Sequence, residues 1–297
     1  MLRRNVFQAV AALVASGARL FGADPGYLAG IAEWRKNYDR DLRSEKGPLY
    51  LIARHSVPEG SSEMGSDPSS RIALPDRAPK RVGTIEHRGD KVTFEPAAGI
   101  AVKLNGKPIS GPATLRAGVA PFPSDRLEFG DFEIVVSAIA GNYQLIVRDR
   151  QSPYLKKFRG AVWFPVNASY RLEAVFTPYP RPKEAKIPDT TGRARLMQVP
   201  GYVTFRLNGE TLRLEPVVSG NELFFMFKDR TSGRETYGVG RFLESEMPKN
   251  GKVVLDFNKA YNPYCAFNPY SSCPIPPKQN TLITRIEAGE KYRREHV

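Results

Sequence analysis

Five residues near the C-terminus have side chains suited to holding a small anion or moving a proton: Glu235, Tyr237, Arg241, Asp256 and Asn258. Successive residues of a strand point to opposite faces. A strand over 233–243 therefore puts Glu235, Tyr237, Val239 and Arg241 on one face, and Thr236, Gly238, Gly240 and Phe242 on the other. Over 252–258, Val254, Asp256 and Asn258 share a face, while Val253, Leu255 and Phe257 form an apolar one. Lys249-Asn250-Gly251 has turn chemistry, so the two strands read as antiparallel neighbours whose polar faces meet. In such a patch Arg241 would grip a carboxylate or phosphate at two points, with Tyr237 and Asn258 orienting it. The same residues also suit a structural ion network, in which Arg241 pairs with Asp256 or Glu235 and Asn258 ties down the next loop. Gly238 and Gly240 fit close backbone packing or ligand access.

Cys265 and Cys273 are the two cysteines. In an oxidising compartment they would close a nine-residue loop, for which chain entropy gives about 2.5 kcal/mol. The alternative is a pair of buried free thiols. A zinc site wants four ligands, and His55, His87 and His296 show no ligand spacing with these cysteines. A cysteine nucleophile wants a histidine partner, and the spacing places none. No metal site and no cofactor are expected. Phosphate-binding Gly-rich loops, Gly-x-Ser-x-Gly elbows and His-Glu-x-x-His are absent.

The elements that must position these residues are short and turn-rich. The 297 residues include 25 Gly and 25 Pro, about 17% against a usual ~12%. Hydrophobic residues at 41% and charged residues at 25% exclude general disorder, collagen and a coiled coil. Asp24-Pro25 starts a helix over about 25–46, with Ile31, Trp34, Tyr38 and Leu42 as its packing stripe and Gly47-Pro48 as its stop. Strands follow: Leu49–Val57, Ile72–Leu74, Val82–Ile85, Lys91–Glu95, Val102–Leu104, Leu127–Val136 and Tyr143–Arg148, with a Gly/Ser-rich loop over Glu59–Ser70. After a break at Gln151-Ser152-Pro153 come the hairpin Tyr202–Leu214 and the wholly apolar, interior strand Leu223–Phe227. A final strand is expected over Leu282–Ile286. Asn105-Gly106 and Asn208-Gly209 mark the clearest hairpins. Five prolines between Pro263 and Pro277 stiffen the Tyr261–Pro277 segment into a cover over the sheet.

At the N-terminus, Met1-Leu2-Arg3-Arg4 and the apolar stretch to Ala18 read as a secretory signal peptide ending near Ala23. Export to the periplasm or medium is the expectation, with the cytoplasm as the alternative should 1–23 be an ordinary helix. Removing 1–23 takes away Arg3, Arg4 and Arg19 and no acid, so the net charge of +13 falls to +10. No segment approaches the ~18 uncharged apolar residues of a membrane span. The basic runs Lys156–Arg159 and Lys291–Arg294 are short, which argues against nucleic acid as a partner.

Two family resemblances emerge. Gly65-Ser66-Asp67-Pro68, Ile72–Pro75, Pro79–Ile85, Leu104–Ile109 and Leu127–Asp131 resemble the strand and turn order of forkhead-associated domains. Those are β-sandwiches that bind phosphothreonine peptides. This chain has Ser66 where that family has Arg, and Lys80-Arg81-Val82-Gly83 where it has Ser-Arg-x-His. The resemblance thus implies the fold and argues against phosphopeptide binding. Glu33-Trp34-Arg35, Thr231–Gly238, Gly240–Leu243, Val254–Phe267, Cys273–Pro277 and Ala288-Gly289-Glu290 resemble the prokaryotic family called domain of unknown function 1684. That resemblance implies membership and no activity.

The chain thus reads as mostly β. A signal peptide (1–23) and a helical lead-in (24–47) precede a forkhead-associated-like sandwich (48–150) and a second antiparallel β barrel or sandwich (151–297). Its expected function is that of an exported, non-catalytic binding or structural module, with a small anionic ligand the one partner suggested. The rival is a cofactor-independent enzyme on a small acidic or carbonyl compound, with Asp256 or Glu235 as acid or base and Arg241 as anchor.

Overall fold

The computed structural model describes residues 24–118, 123–139 and 142–293. The expected signal peptide and His296 lie outside them. Helix α1 runs Pro25–Leu42, and the Asp24 carboxylate accepts the Tyr27 N–H at 3.0 Å, the expected cap. It stops four residues short of 46 because Arg43–Gly47 folds into consecutive turns before Pro48.

Eleven strands build the N-terminal half: β1 (Leu51–Ser56), β2 (Gly60–Gly65), β3 (Ile72–Ala73), β4 (Gly83–Arg88), β5 (Lys91–Pro96), β6 (Val102–Leu104), β7 (Lys107–Ile109), β8 (Ala113–Leu115), β9 (Arg126–Phe129), β10 (Phe132–Ile139) and β11 (Asn142–Asp149). They form a six-stranded sheet, β1-β11-β10-β9-β6-β7, and a five-stranded sheet, β3-β2-β4-β5-β8. Buried residues of both sheets, among them Met64, Ile85, Phe94, Leu127, Ile134 and Val147, make one core between them. The expected Gly/Ser-rich loop contains a strand instead. Ser62 and Met64 of β2 are buried, and Gly60–Met64 pair with Gly83–His87 of β4. Main-chain pairing holds this strand, which its small side chains did not announce.

The C-terminal half begins with a short helix, α2 (Pro153–Lys157), and continues through β12 (Val162–Trp163), β13 (Arg171–Pro188), β14 (Ala194–Leu207), β15 (Glu210–Leu214), β16 (Val217–Ser219), β17 (Glu222–Phe227), β18 (Arg241–Glu246), β19 (Lys252–Asp256) and β20 (Glu290–Lys291). Strands β15-β14-β13-β19 form one sheet, β16-β17-β18 a second, and β12-β20 a two-stranded third. No barrel closes among them. Phe205, Leu214, Leu223, Phe225, Phe227, Leu255 and Phe257 fill the core between the two larger sheets. The turn residues Asn105 and Asn208 take φ of 51° and 52°, as a tight hairpin of this twist requires. Leu282–Ile286 is not a strand. It runs as irregular chain with its backbone tied to loops: Leu282 N–H to the Lys228 carbonyl, and Ile286 N–H to Asp229.

Helix α1 docks on the C-terminal half. Trp34 and Tyr38 pack against Trp163 and Tyr261 with ring centroids 5.4–6.4 Å apart. Arg35 lies over the Trp163 ring and donates to the Phe164 carbonyl. The Tyr261–Pro277 segment covers the junction: Ala266 and Phe267 bury against Leu42, Leu49 and Phe158.

Candidate functional site

The five residues singled out by strand periodicity are distributed among four separate sets of partners. The strand expected over 233–243 exists only from Arg241 onward. Before it the chain folds into a turn, in which the Thr231 carbonyl accepts N–H groups of Arg234, Glu235 and Thr236. Gly240, at φ +127°, breaks the strand, and a Cβ there would meet the Phe227 carbonyl at 2.6 Å. Strands β18 and β19 touch, with the Ser245 hydroxyl donating to the Val254 carbonyl at 2.8 Å, but they pair into different sheets, and Arg241 and Asp256 bond to different partners.

Arg241 is the centre of the first network. Its side chain is fully buried, and Nη2 lies 3.5 Å from Oδ1 of an equally buried Asp229. Nη2 also donates to the Ile286 carbonyl at 2.9 Å, and Nη1 donates to the Ala288 carbonyl. Burial pulls the guanidinium below its ordinary pKa, and Asp229 pushes it back up. Asp229 is itself saturated. It accepts the Thr231 hydroxyl at 2.8 Å and the Ile286 N–H at 2.6 Å, and Thr231 in turn meets the Thr236 hydroxyl at 2.9 Å. One cation thereby clamps the 229–236 turn, the start of β18 and the 286–288 segment.

Asp256 and Asn258 form the second network, facing α1 instead of Arg241. The Tyr27 hydroxyl donates to Asp256 Oδ1 at 2.8 Å and accepts from Asn258 Nδ2 at 2.9 Å. Asn258 also accepts the Asn167 N–H at 3.0 Å and donates to its carbonyl at 2.9 Å. Burial beside Asp256 raises the Tyr27 phenol well above its ordinary range.

Glu235 lies apart, on the surface, in a 2.6 Å ion pair with Arg285 that holds its carboxyl below the usual range. The Tyr237 hydroxyl donates to the Cys265 carbonyl at 3.1 Å. Cys265 and Cys273 are free thiols in contact, with the Cys265 N–H 3.1 Å from Cys273 Sγ. Their contact lowers the Cys265 thiol and pushes Cys273 up.

Periodicity missed a third buried group, Glu290. It is 1% exposed, and its Oε2 accepts the Asn262 N–H at 2.7 Å and the Tyr38 hydroxyl at 2.9 Å. Burial raises its pKa to about 8, against those hydrogen bonds and the field of Arg241. Its signal in sequence was faint: the acid of the Ala288-Gly289-Glu290 motif, in a segment with no strand pattern. Among the described residues, no group of three or more His, Cys, Asp or Glu is placed to hold a metal ion. No helix there is long and apolar enough to cross a membrane.

These elements define a mostly β protein in two parts, its C-terminal half held together by a buried ion pair, buried hydrogen-bond networks and a docked N-terminal helix. Residues 156–291 match the family model described as Protein of unknown function (DUF1684), and the chain belongs to that family. It is similar to an uncharacterized protein from gene locus rrnAC0354 of Haloarcula marismortui, solved by solution NMR. Identity there is 32% over 46% of this chain and 78% of that one, with a TM-score of 0.40. A structure named Rv0020c_FHA shows 20% identity over 31% of this chain and 76% of that one, with a TM-score of 0.22. The sandwich described above rests on this chain's own strand pairing. No curated protein matches the chain.

Proposed function

We propose that this protein is an exported, non-catalytic binding or structural β module. One observation carries the reading: each of the five chemically suited residues is occupied by protein partners. Arg241 has both Nη groups bonded within the core and no exposed surface, so it offers a soluble anion no grip. Asp256 is hydrogen-bonded to Tyr27 and Asn258, and Glu235 is paired with Arg285, which leaves neither as a free acid or base beside Arg241. The rigid clamp and the docked helix suit a scaffold better than a site that must reorganise during turnover.

Export supplies an oxidising setting, in which Cys265 and Cys273 would join by exchange with an external disulfide. One cysteine thiolate attacks that disulfide, forming a mixed disulfide and expelling one external sulfur as a thiolate; the second cysteine thiolate then displaces the other, so the external disulfide is reduced to two thiols as the protein disulfide forms. The test is the mature protein purified from its host. N-terminal sequencing is expected to start near Asp24, and thiol titration after denaturation to find no free cysteine. A chain starting at Met1 removes export, and two titratable thiols remove the disulfide.

A further inference from the structure

The two halves meet at a cluster of arginines that the ion network above does not use. Arg54 on β1 and Arg193 beside the β13–β14 turn reach the same acceptor: Arg54 Nη1 and Arg193 Nη1 lie 3.1 Å and 3.2 Å from Gln144 Oε1. The two nitrogens are therefore at most about 6.3 Å apart, the sum of those two distances. Arg195, on β14, adds the field of a third positive charge, and with Arg193 it helps to lower the Arg54 pKa, after burial. Like charges do not gather around a neutral amide for their own benefit.

The carboxylate that offsets them is Asp189, and its oxygens are committed to shaping the turn. Oδ1 accepts the Thr191 N–H and hydroxyl at 2.8 Å and 2.6 Å and the Arg193 N–H at 3.1 Å, and Oδ2 accepts the Ser272 hydroxyl at 2.6 Å. Arg193 Nε is 3.7 Å from Oδ2. Arg54, Arg193 and the field of Arg195 face two carboxylates, Asp189 and, on the wall of the adjacent cavity, Glu59, so one positive charge is left in excess. Beside the cluster opens a cavity of about 400 Å³, lined by Gln144, Arg193, Tyr143, His87 and Val57, with Glu59 on its wall. That volume is in the range of small-ligand sites.

We propose that Arg54 and Arg193, with Gln144, form a binding site for the phosphate group of a small phosphomonoester, whose organic part occupies the adjacent cavity. The excess of guanidiniums over carboxylates favours an anion, and tetrahedral phosphate oxygens accept the paired N–H donors of guanidinium forks. The site is split between the halves: Arg54 and Gln144 come from the sandwich, and Arg193 from the C-terminal hairpin. Bound phosphate would therefore lock the hairpin onto the sandwich. This ligand deepens the non-catalytic binding reading and rests on it for its meaning.

The test is thermal unfolding of the full chain with inorganic phosphate, and with phenyl phosphate as the probe of the cavity, against sodium chloride at matched ionic strength. Both phosphates are expected to raise Tm by a few degrees above the chloride control, phenyl phosphate at the lower concentration. Arg54→Gln and Arg193→Gln are each expected to weaken the response about tenfold or more, the loss of a charge-assisted contact. Gln144→Glu places a carboxylate where the anion would sit; it is expected to raise Tm without phosphate and to abolish the response. Arg116→Gln, remote in the sandwich, is expected to respond like the parent. No shift beyond chloride, or a full shift in an Arg54→Gln/Arg193→Gln double variant, overturns the site. Stronger stabilisation by succinate than by phosphate overturns the ligand class. Discovery of catalytic turnover would remove the non-catalytic reading while leaving phosphate binding intact, so the two failures are distinguishable.

Discussion

Replacing Arg241 by Met separates the structural clamp from the anion anchor. Met fills much of the same volume and removes the charge. The buried Asp229 carboxylate loses its counter-charge, and the carbonyls of Ile286 and Ala288 lose their donors. Removing one partner of a buried ion pair costs roughly 3–5 kcal/mol, because the other charge stays buried and unpaired. Each kcal/mol lowers Tm by about 3 °C in a unit of this size. Arg241→Met should therefore melt roughly 10 °C or more below the parent, followed by circular dichroism or by urea titration. A double variant, Arg241→Met/Asp229→Asn, should recover part of the loss, because no unpaired charge remains. Should Arg241→Met fail to express, Arg241→Lys keeps the charge without the two-pronged donor and gives a smaller drop. A change under about 1 kcal/mol in Arg241→Met, or strict additivity in the double variant, would refute the clamp. Loss of anion-dependent stabilisation with unchanged ligand-free stability would restore the anchor reading.

Glu290, raised from an ordinary 4.5 to about 8, is protonated in the folded chain at neutral pH, so its contribution is complete below about 4.5 and declines as pH rises to about 8. Glu290→Gln should flatten the fall in urea stability between pH 5 and 8; a slope identical to the parent's would count against a protonated Glu290. Tyr27→Phe removes the hydroxyl that joins α1 to Asp256 and Asn258, and should cost about 1–2 kcal/mol in urea titration and speed proteolysis within α1. If α1 stays equally protected, its docking depends on Trp34 and Tyr38 instead. Gly240→Ala forces a side chain into φ +127° against the Phe227 carbonyl and Pro276, and should lower stability by at least about 2 kcal/mol, whereas an unchanged Tm would show that this turn can shift.

Sequence determined what neighbouring residues decide among themselves. Asp24-Pro25 capped the helix, Asn105-Gly106 and Asn208-Gly209 set hairpins because both turn residues accept positive φ, and the Leu223–Phe227 run marked an interior strand. The mostly β class followed from those local signals. Period-2 alternation put Arg241 and Asp256 on polar faces, but alternation says only which side a residue faces. It cannot say which sheet a strand joins, and β18 and β19 joined different ones. Nor could it find a strand made mostly of Gly, Ser and Glu, as β2 is, or a glycine that ends one, as Gly240 does. Only the tertiary structure decided the partners, since they come from far along the chain: Tyr27 meets Asp256 across 229 residues, and Tyr38 meets Glu290 across 252. Burial of a charge is a property of everything packed around it. The same arginine is an anchor on an open face and a clamp in a core, and the fold placed Arg241 in the core.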